Sequence, residues 1–163
     1  MAMFTDLAGI TTNNRMETSG KTMITVETVI DAPVKKIWEW WTEPRHITKW
    51  CFASDDWHAP QAENDFRVGG SFITTMAAKD GSLGFDVTGT YNKIKKFELI
   101  EYILDDGRTV SISFKTQGDH TRVTESFEAE TENTLELQRS GWQAILDNFK
   151  KHVETLKSSQ TGG

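Results

Sequence analysis

Glu125 is the residue of this chain whose type and position could carry chemistry. The run from Val123 to Ala129 alternates. If Val123 and Phe127 face an apolar interior, the two-residue period of a strand turns Glu125 inward with them. A carboxylate in such surroundings must be paired, hydrated, or held protonated with a raised pKa. It could recognise the polar end of a bound molecule or act as an acid/base group. Two arrangements would remove it from that role: a bulge that turns Glu125 outward, or an arginine such as Arg67 that neutralises it.

Other chemistries lack their residue patterns. His46, His58, His120 and His152 are scattered, with no pair at the spacing of a metal motif. Asp55, Asp56 and His58 lie close together, but strand alternation sets Asp55 against the other two, and a solvated strand end is expected there. No metal and no cofactor is therefore expected. Gly69, Gly70, Gly81 and Gly84 do not form a phosphate loop leading into a helix; the Gly69-Gly70 pair suits a bulge or a close backbone approach. No Gly-x-Ser-x-Gly elbow is present. Cys51 follows Trp50 at an apolar position and reads as a buried, inert thiol. As the single cysteine, it allows no internal disulfide.

The elements that must position Glu125 follow from periodicity. Thr22 to Ile30 is β-branched and alternating, a strand. At Asp31-Ala32-Pro33 the period changes, with Asp31 as a cap and Pro33 in the first turn. Val34, Ile37, Trp38 and Trp41 then fall on one helical face, which leaves Trp40 off the stripe and predicts that it is exposed. Glu43-Pro44 ends this helix, and a second short one runs through His46 and Ile47 to Trp50. From Cys51 a meander is expected. Ser71 to Lys79 is a strand, and Asp80-Gly81 is a tight turn. Leu83, Phe85, Val87, Gly89 and Tyr91 share the next face. Ile100, Tyr102 and Leu104 alternate, and Asp105-Asp106-Gly107 turns the chain. Val110, Ile112 and Phe114 face inward opposite Thr109, Ser111, Ser113 and Lys115, and Gly118-Asp119 leads to the last strand. One-sided alternation of this kind marks an antiparallel sheet with one solvated face.

A long helix closes the chain from about Thr134 to Leu156. Trp142, Ile145, Leu146, Phe149, Val153 and Leu156 form one apolar stripe, with Lys150, Lys151 and Lys157 near its C-terminus. Strand, two short helices, meander and long helix make an α+β fold in which a curved antiparallel sheet wraps the C-terminal helix around an apolar pocket. Residues 1–21 read as an N-terminal extension, 22–157 as the domain and 158–163 as a flexible tail.

The chain is 163 residues long, enough to bury a core without a metal or disulfide staple. Six Trp and nine Phe against two Tyr supply large apolar rings, and such rings leave irregular spaces between them. The net charge of -6 argues against nucleic acid and anionic membrane as partners. No signal-like or membrane-spanning apolar run appears, so the default location is cytoplasmic.

Several motifs, in order, resemble the START/Bet v 1-like (SRPBCC) helix-grip superfamily, in the branch similar to the C-terminal domain of the activators of the Hsp90 ATPase. They are Asp31-Ala32-Pro33 with Ile37-Trp38 and Trp41-Thr42-Glu43-Pro44; Trp50; Asp65 to Phe72 with its paired glycines; Gly89-Thr90-Tyr91 with Ile94; Thr121-Arg122-Val123-Thr124; and Gly141-Trp142 with Leu146. The resemblance spans about residues 22–157. It implies a cavity between sheet and helix that in many relatives holds lipids, hormones or polyketides. In eukaryotic relatives the domain accompanies an N-terminal module and binds Hsp90. A chain of 163 residues is too short to carry that module as well, so the full co-chaperone activity is not expected.

Three functions are weighed on these grounds. The leading one is non-catalytic binding of a small hydrophobic molecule, with Trp38, Trp50, Trp57, Phe72, Phe85, Tyr102, Phe114 and Trp142 as candidate walls and Glu125 as the polar contact. The second is an interaction domain for an Hsp90-type chaperone, with self-association as a further partner expectation; an exposed Trp40 would mark a partner surface or a cover from the N-terminal extension. The third is a polyketide cyclase-like enzyme that uses Glu125.

Overall fold

The computed structural model describes residues 21–162, with side chains as far as Lys157. β1 (Met23–Ile30) leads into α1 (Val34–Thr42) and α2 (Pro44–Trp50). A meander follows: β2 (Trp57–Asn64), β3 (Ser71–Ala78), β4 (Gly84–Lys95), β5 (Leu99–Leu104), β6 (Thr109–Gln117) and β7 (His120–Glu128). α3 (Leu135–Gly162) closes the chain and continues beyond Leu156, where its apolar stripe ends.

All pairings are antiparallel, in a 7-stranded sheet of order β1-β7-β6-β5-β4-β3-β2. The two short helices carry the chain from one sheet edge to the other, so β1 joins the end of the meander. α3 lies against the sheet with Leu146, Phe149 and Val153 fully buried. The inward rows are Val110, Ile112 and Phe114 on β6 and Val123, Glu125 and Phe127 on β7.

Several sequence expectations require correction. β2 shows no clean alternation and carries Pro60, which lacks a ladder donor. It survives as the edge strand, with a register shift between His58 and Gln61 that passes Pro60 by. Leu83 lies before β4 and is 52% exposed, so the inward face of that strand begins at Phe85. Asp31 caps nothing: Pro33 holds the N-cap position, and the Asp31 carboxylate instead accepts from Lys157 Nζ at 2.9 Å, which ties β1 to α3.

Trp40 is buried, not exposed. A single stripe buries one side of a helix, but α1 is packed on two. Trp38 stands edge-on to Phe114 on the sheet side, and Trp40 faces the His46 and His152 rings of α2 and α3. The Trp40 carbonyl also accepts from Trp50 Nε1 at 3.0 Å. Trp40 therefore offers no exposed ring to a partner.

The paired glycines make a close backbone approach. A Cβ at Gly70 would lie 2.1 Å from the Asp65 carbonyl oxygen, while the Gly70 carbonyl accepts from Tyr91 N. Gly70→Ala must push two backbone segments apart. It is expected to cost more than about 3 kcal/mol, read as a lowered urea midpoint or as loss of soluble protein.

Candidate functional site

Between the sheet and α3 lies a cavity of about 250 Å³. Its walls come from many segments between Trp41 and Ile145. Trp41, Ile47 and Trp50 enter from the two short helices, Trp57 from the edge strand, and Trp142 and Ile145 from α3. Phe72, Phe85, Tyr91 and Tyr102 supply the sheet side. Ring packing holds several walls in place. Trp142 stacks on Phe127 with centroids 3.8 Å apart, and Phe149 meets both Trp41 and Trp50 edge-on at 4.8 Å.

Of the residues singled out in the sequence, Trp50, Trp57, Phe72, Phe85, Tyr102 and Trp142 line this cavity, as does Glu125. Trp38 and Phe114 do not. They sit in the core beyond it, where Trp38 packs edge-on against Phe66, Phe97 and Phe114. Inward alternation places a ring under the helices without saying whether space remains beside it. Trp41, Tyr91 and Thr74 are wall residues that the candidate set lacked. Trp41 lay on the apolar stripe, Tyr91 on an inward face and Thr74 on the strand face of Phe72, so a signal existed for all three.

Glu125 is 6% exposed and points into the cavity. Its cross-strand neighbours are Val26 on β1 and Ile112 on β6, both apolar and buried. No bulge turns it outward. Arg67 does not neutralise it either: that guanidinium is exposed and grips Asp65, with Nε 3.0 Å from Oδ1. Glu125 has no hydrogen-bond or ion-pair partner among the described residues. Burial pushes its carboxyl up to about 8.

The polar groups around it are few. The Tyr102 hydroxyl, raised well above its ordinary value by burial and then by the Glu125 charge, has no hydrogen-bond partner among the described residues. Thr74, also 6% exposed, is in the same condition. The Cys51 thiol is pushed up to about 12, first by burial and then by Glu125, which makes it a poor nucleophile. Tyr91 is spoken for: its hydroxyl donates to Asn64 Oδ1 at 2.7 Å, and Asn64 Nδ2 donates to the Thr42 carbonyl. Arg108, the cation in the wall, is engaged by Asp106 at 2.9 Å and by the Glu128 carbonyl at 3.4 Å. Glu130 accepts the backbone N–H groups of Glu132 and Asn133 ahead of α3.

The structure also joins two histidines that the sequence holds far apart. His46 Nδ1 and His152 Nε2 share a hydrogen bond at 3.1 Å, linking α2 to α3 beside Trp40. Burial lowers both, His152 to about 4, with His46 the next cause for His152. No group of three or more metal-ligating side chains forms among the described residues.

A sheet wrapped on a long C-terminal helix, with two short helices after the first strand, is the helix-grip arrangement. A profile of the family described as Activator of Hsp90 ATPase homolog 1-like protein matches residues 31–154. The chain belongs to that family. Among solved structures of similar proteins is the AHSA1-like protein of Aeromonas hydrophila, 42% identical, with a TM-score of 0.79 over 83% of this chain and 94% of that one. A protein of Cytophaga hutchinsonii is 52% identical with a TM-score of 0.71, again over 83% of this chain and 94% of that one. A Nitrosomonas europaea protein shares the fold at 19% identity, with a TM-score of 0.71 over 83% of this chain and 96% of that one. No curated protein matches the chain. The AHSA1-like, Bet v 1-like fold is thus shared with its relatives. Among the described residues no helix is long and apolar enough to cross a membrane.

Proposed function

We propose that this AHSA1-like protein binds a small hydrophobic molecule, without catalysis, in the cavity between its sheet and α3. The observation that carries the reading is an aromatic-walled cavity of about 250 Å³ that contains an unpartnered, buried carboxyl. Three polar groups that border the cavity, at Glu125, Tyr102 and Thr74, have no protein partner among the described residues, so water or a ligand must satisfy them. A ligand does so while its apolar body covers the rings. The volume, near the lower end for ligand pockets, suits one or two rings.

Native mass spectrometry of the protein as purified, with quenching of tryptophan fluorescence by small apolar probes, tests this. Trp41, Trp50, Trp57 and Trp142 all line the wall, so an occupant should change emission. If nothing co-purifies and no probe alters it, the reading fails.

The family description favours a second reading, an interaction domain for an Hsp90-type ATPase. It calls for a complex and a stimulated ATPase rate. No complex at concentrations of tens of micromolar would count against it, since even weak transient interfaces are seen in that range. The cyclase-like reading rests on Glu125 alone; turnover unchanged in Glu125→Gln would remove it.

A further inference from the structure

Resting on that binding reading, we propose that the ligand class is a lipophilic amine whose ammonium group pairs with the Glu125 carboxylate while its apolar body lies among the cavity's rings.

Three features of the cavity point the same way. The Glu125 carboxyl is more than nine-tenths buried, faces the open space and has no cation or donor of its own among the described residues. The wall around the space is aromatic, through Trp50, Trp57, Phe72, Phe85, Tyr102 and Trp142, and ring faces attract a cation. No free cation awaits an anion among the described residues: Arg108, the one cationic side chain in the lining, is held by Asp106 and the Glu128 carbonyl, while Glu130 is taken up by the N–H groups of Glu132 and Asn133. A fatty acid or a phosphate ester would meet the Glu125 carboxyl and no available guanidinium. The protein's net charge of -6 also favours the approach of cations.

The groups that face Glu125 bear on its titration. Val26 of β1 and Ile112 of β6 flank it and carry no charge. Cys51, after α2, and Tyr102 of β5 interact with it electrostatically and stay neutral near pH 7. Arg108 and Glu130 complete the charged lining, and α3 contributes Gln138, Trp142 and Ile145, none of them ionisable. Before binding, burial keeps the carboxyl protonated below about 8. Binding of a protonated amine then releases that proton to the buffer: the carboxylic acid and the ammonium enter, and an ammonium carboxylate pair and one proton result. No covalent bond to carbon forms or breaks.

Calorimetry with phenethylamine, phenethyl alcohol and ethylbenzene tests this on the whole protein. The amine should bind at least about tenfold more tightly than the alcohol, since an ion pair in a dry site exceeds a neutral hydrogen bond. Its binding enthalpy should vary with the buffer as expected for release of about one proton near neutral pH. Its affinity should rise about tenfold per pH unit towards pH 8 and then level off. In Glu125→Gln the preference for the amine should vanish while ethylbenzene still binds, which shows an intact cavity. If the alcohol and the hydrocarbon bind as well as the amine, or the amine binds without proton release, the amine inference is overturned and the cavity reading stands. If none of the three binds, both fall.

Discussion

Glu125→Gln is expected to stabilise the protein at neutral pH, by up to roughly 3 kcal/mol at about 1.4 kcal/mol per unit of pKa displacement. An unfolded Glu125 titrates near 4.5, whereas the folded one titrates near 8. Between those values the folded state holds a proton that the unfolded chain has lost. Stability therefore falls as pH rises through that window, and folding at neutral pH includes the cost of protonating the carboxyl. Glutamine has a similar shape and no such cost.

The histidines act in the opposite sense. Between about 4 and the ordinary imidazole value of 6.5, the unfolded chain takes up a proton that folded His152 resists, so stability rises with pH there. His152 is only partly buried, and solvent screening reduces its contribution. The clean window is above pH 6.5 and below 8, where the Glu125 slope acts without opposition from the histidines. Urea denaturation across that window should show wild-type stability declining and the glutamine variant nearly flat. Equal slopes in the two proteins would mean that Glu125 is ionised in the folded state.

The second large effect is expected from Phe149→Ala, at about 3–5 kcal/mol of lost stability. Phe149 is fully buried on α3 and stands 4.8 Å from both Trp41 and Trp50, which form part of the cavity wall. Removing the ring leaves a hole that these large indoles cannot fill without leaving their rotamers, so collapse is limited. The indoles also lose the contact that holds them at the cavity. Chemical denaturation should give a lower midpoint, and tryptophan emission of the folded variant should shift to the red. A loss below about 1 kcal/mol would mean that α3 does not brace the wall.

The outline of the fold was written in local patterns. Alternation in β5, β6 and β7 and the stripe from Trp142 to Leu156 each repeat one physical fact, that a strand or helix buries one face. The turns at Asp80-Gly81, Asp105-Asp106-Gly107 and Gly118-Asp119 separate them. Where burial came from two sides or a local pattern was broken, the signal failed. β2 hid behind Pro60, and Trp40 was misplaced because α1 is covered by α2 and α3 as well as by the sheet.

Glu125 was legible by itself: strand parity set its face, and its inward direction needed no tertiary knowledge. Parity does not reveal what stands opposite. That Arg67 turns away to Asp65, that Trp38 and Phe114 close up in the core while Trp41 and Tyr91 border open space, and that His46 meets His152 are facts about distant segments. Local sequence determines which way a side chain faces, because that follows from backbone period. What it faces depends on how the sheet curls and where α3 rests, and only the tertiary structure decides that.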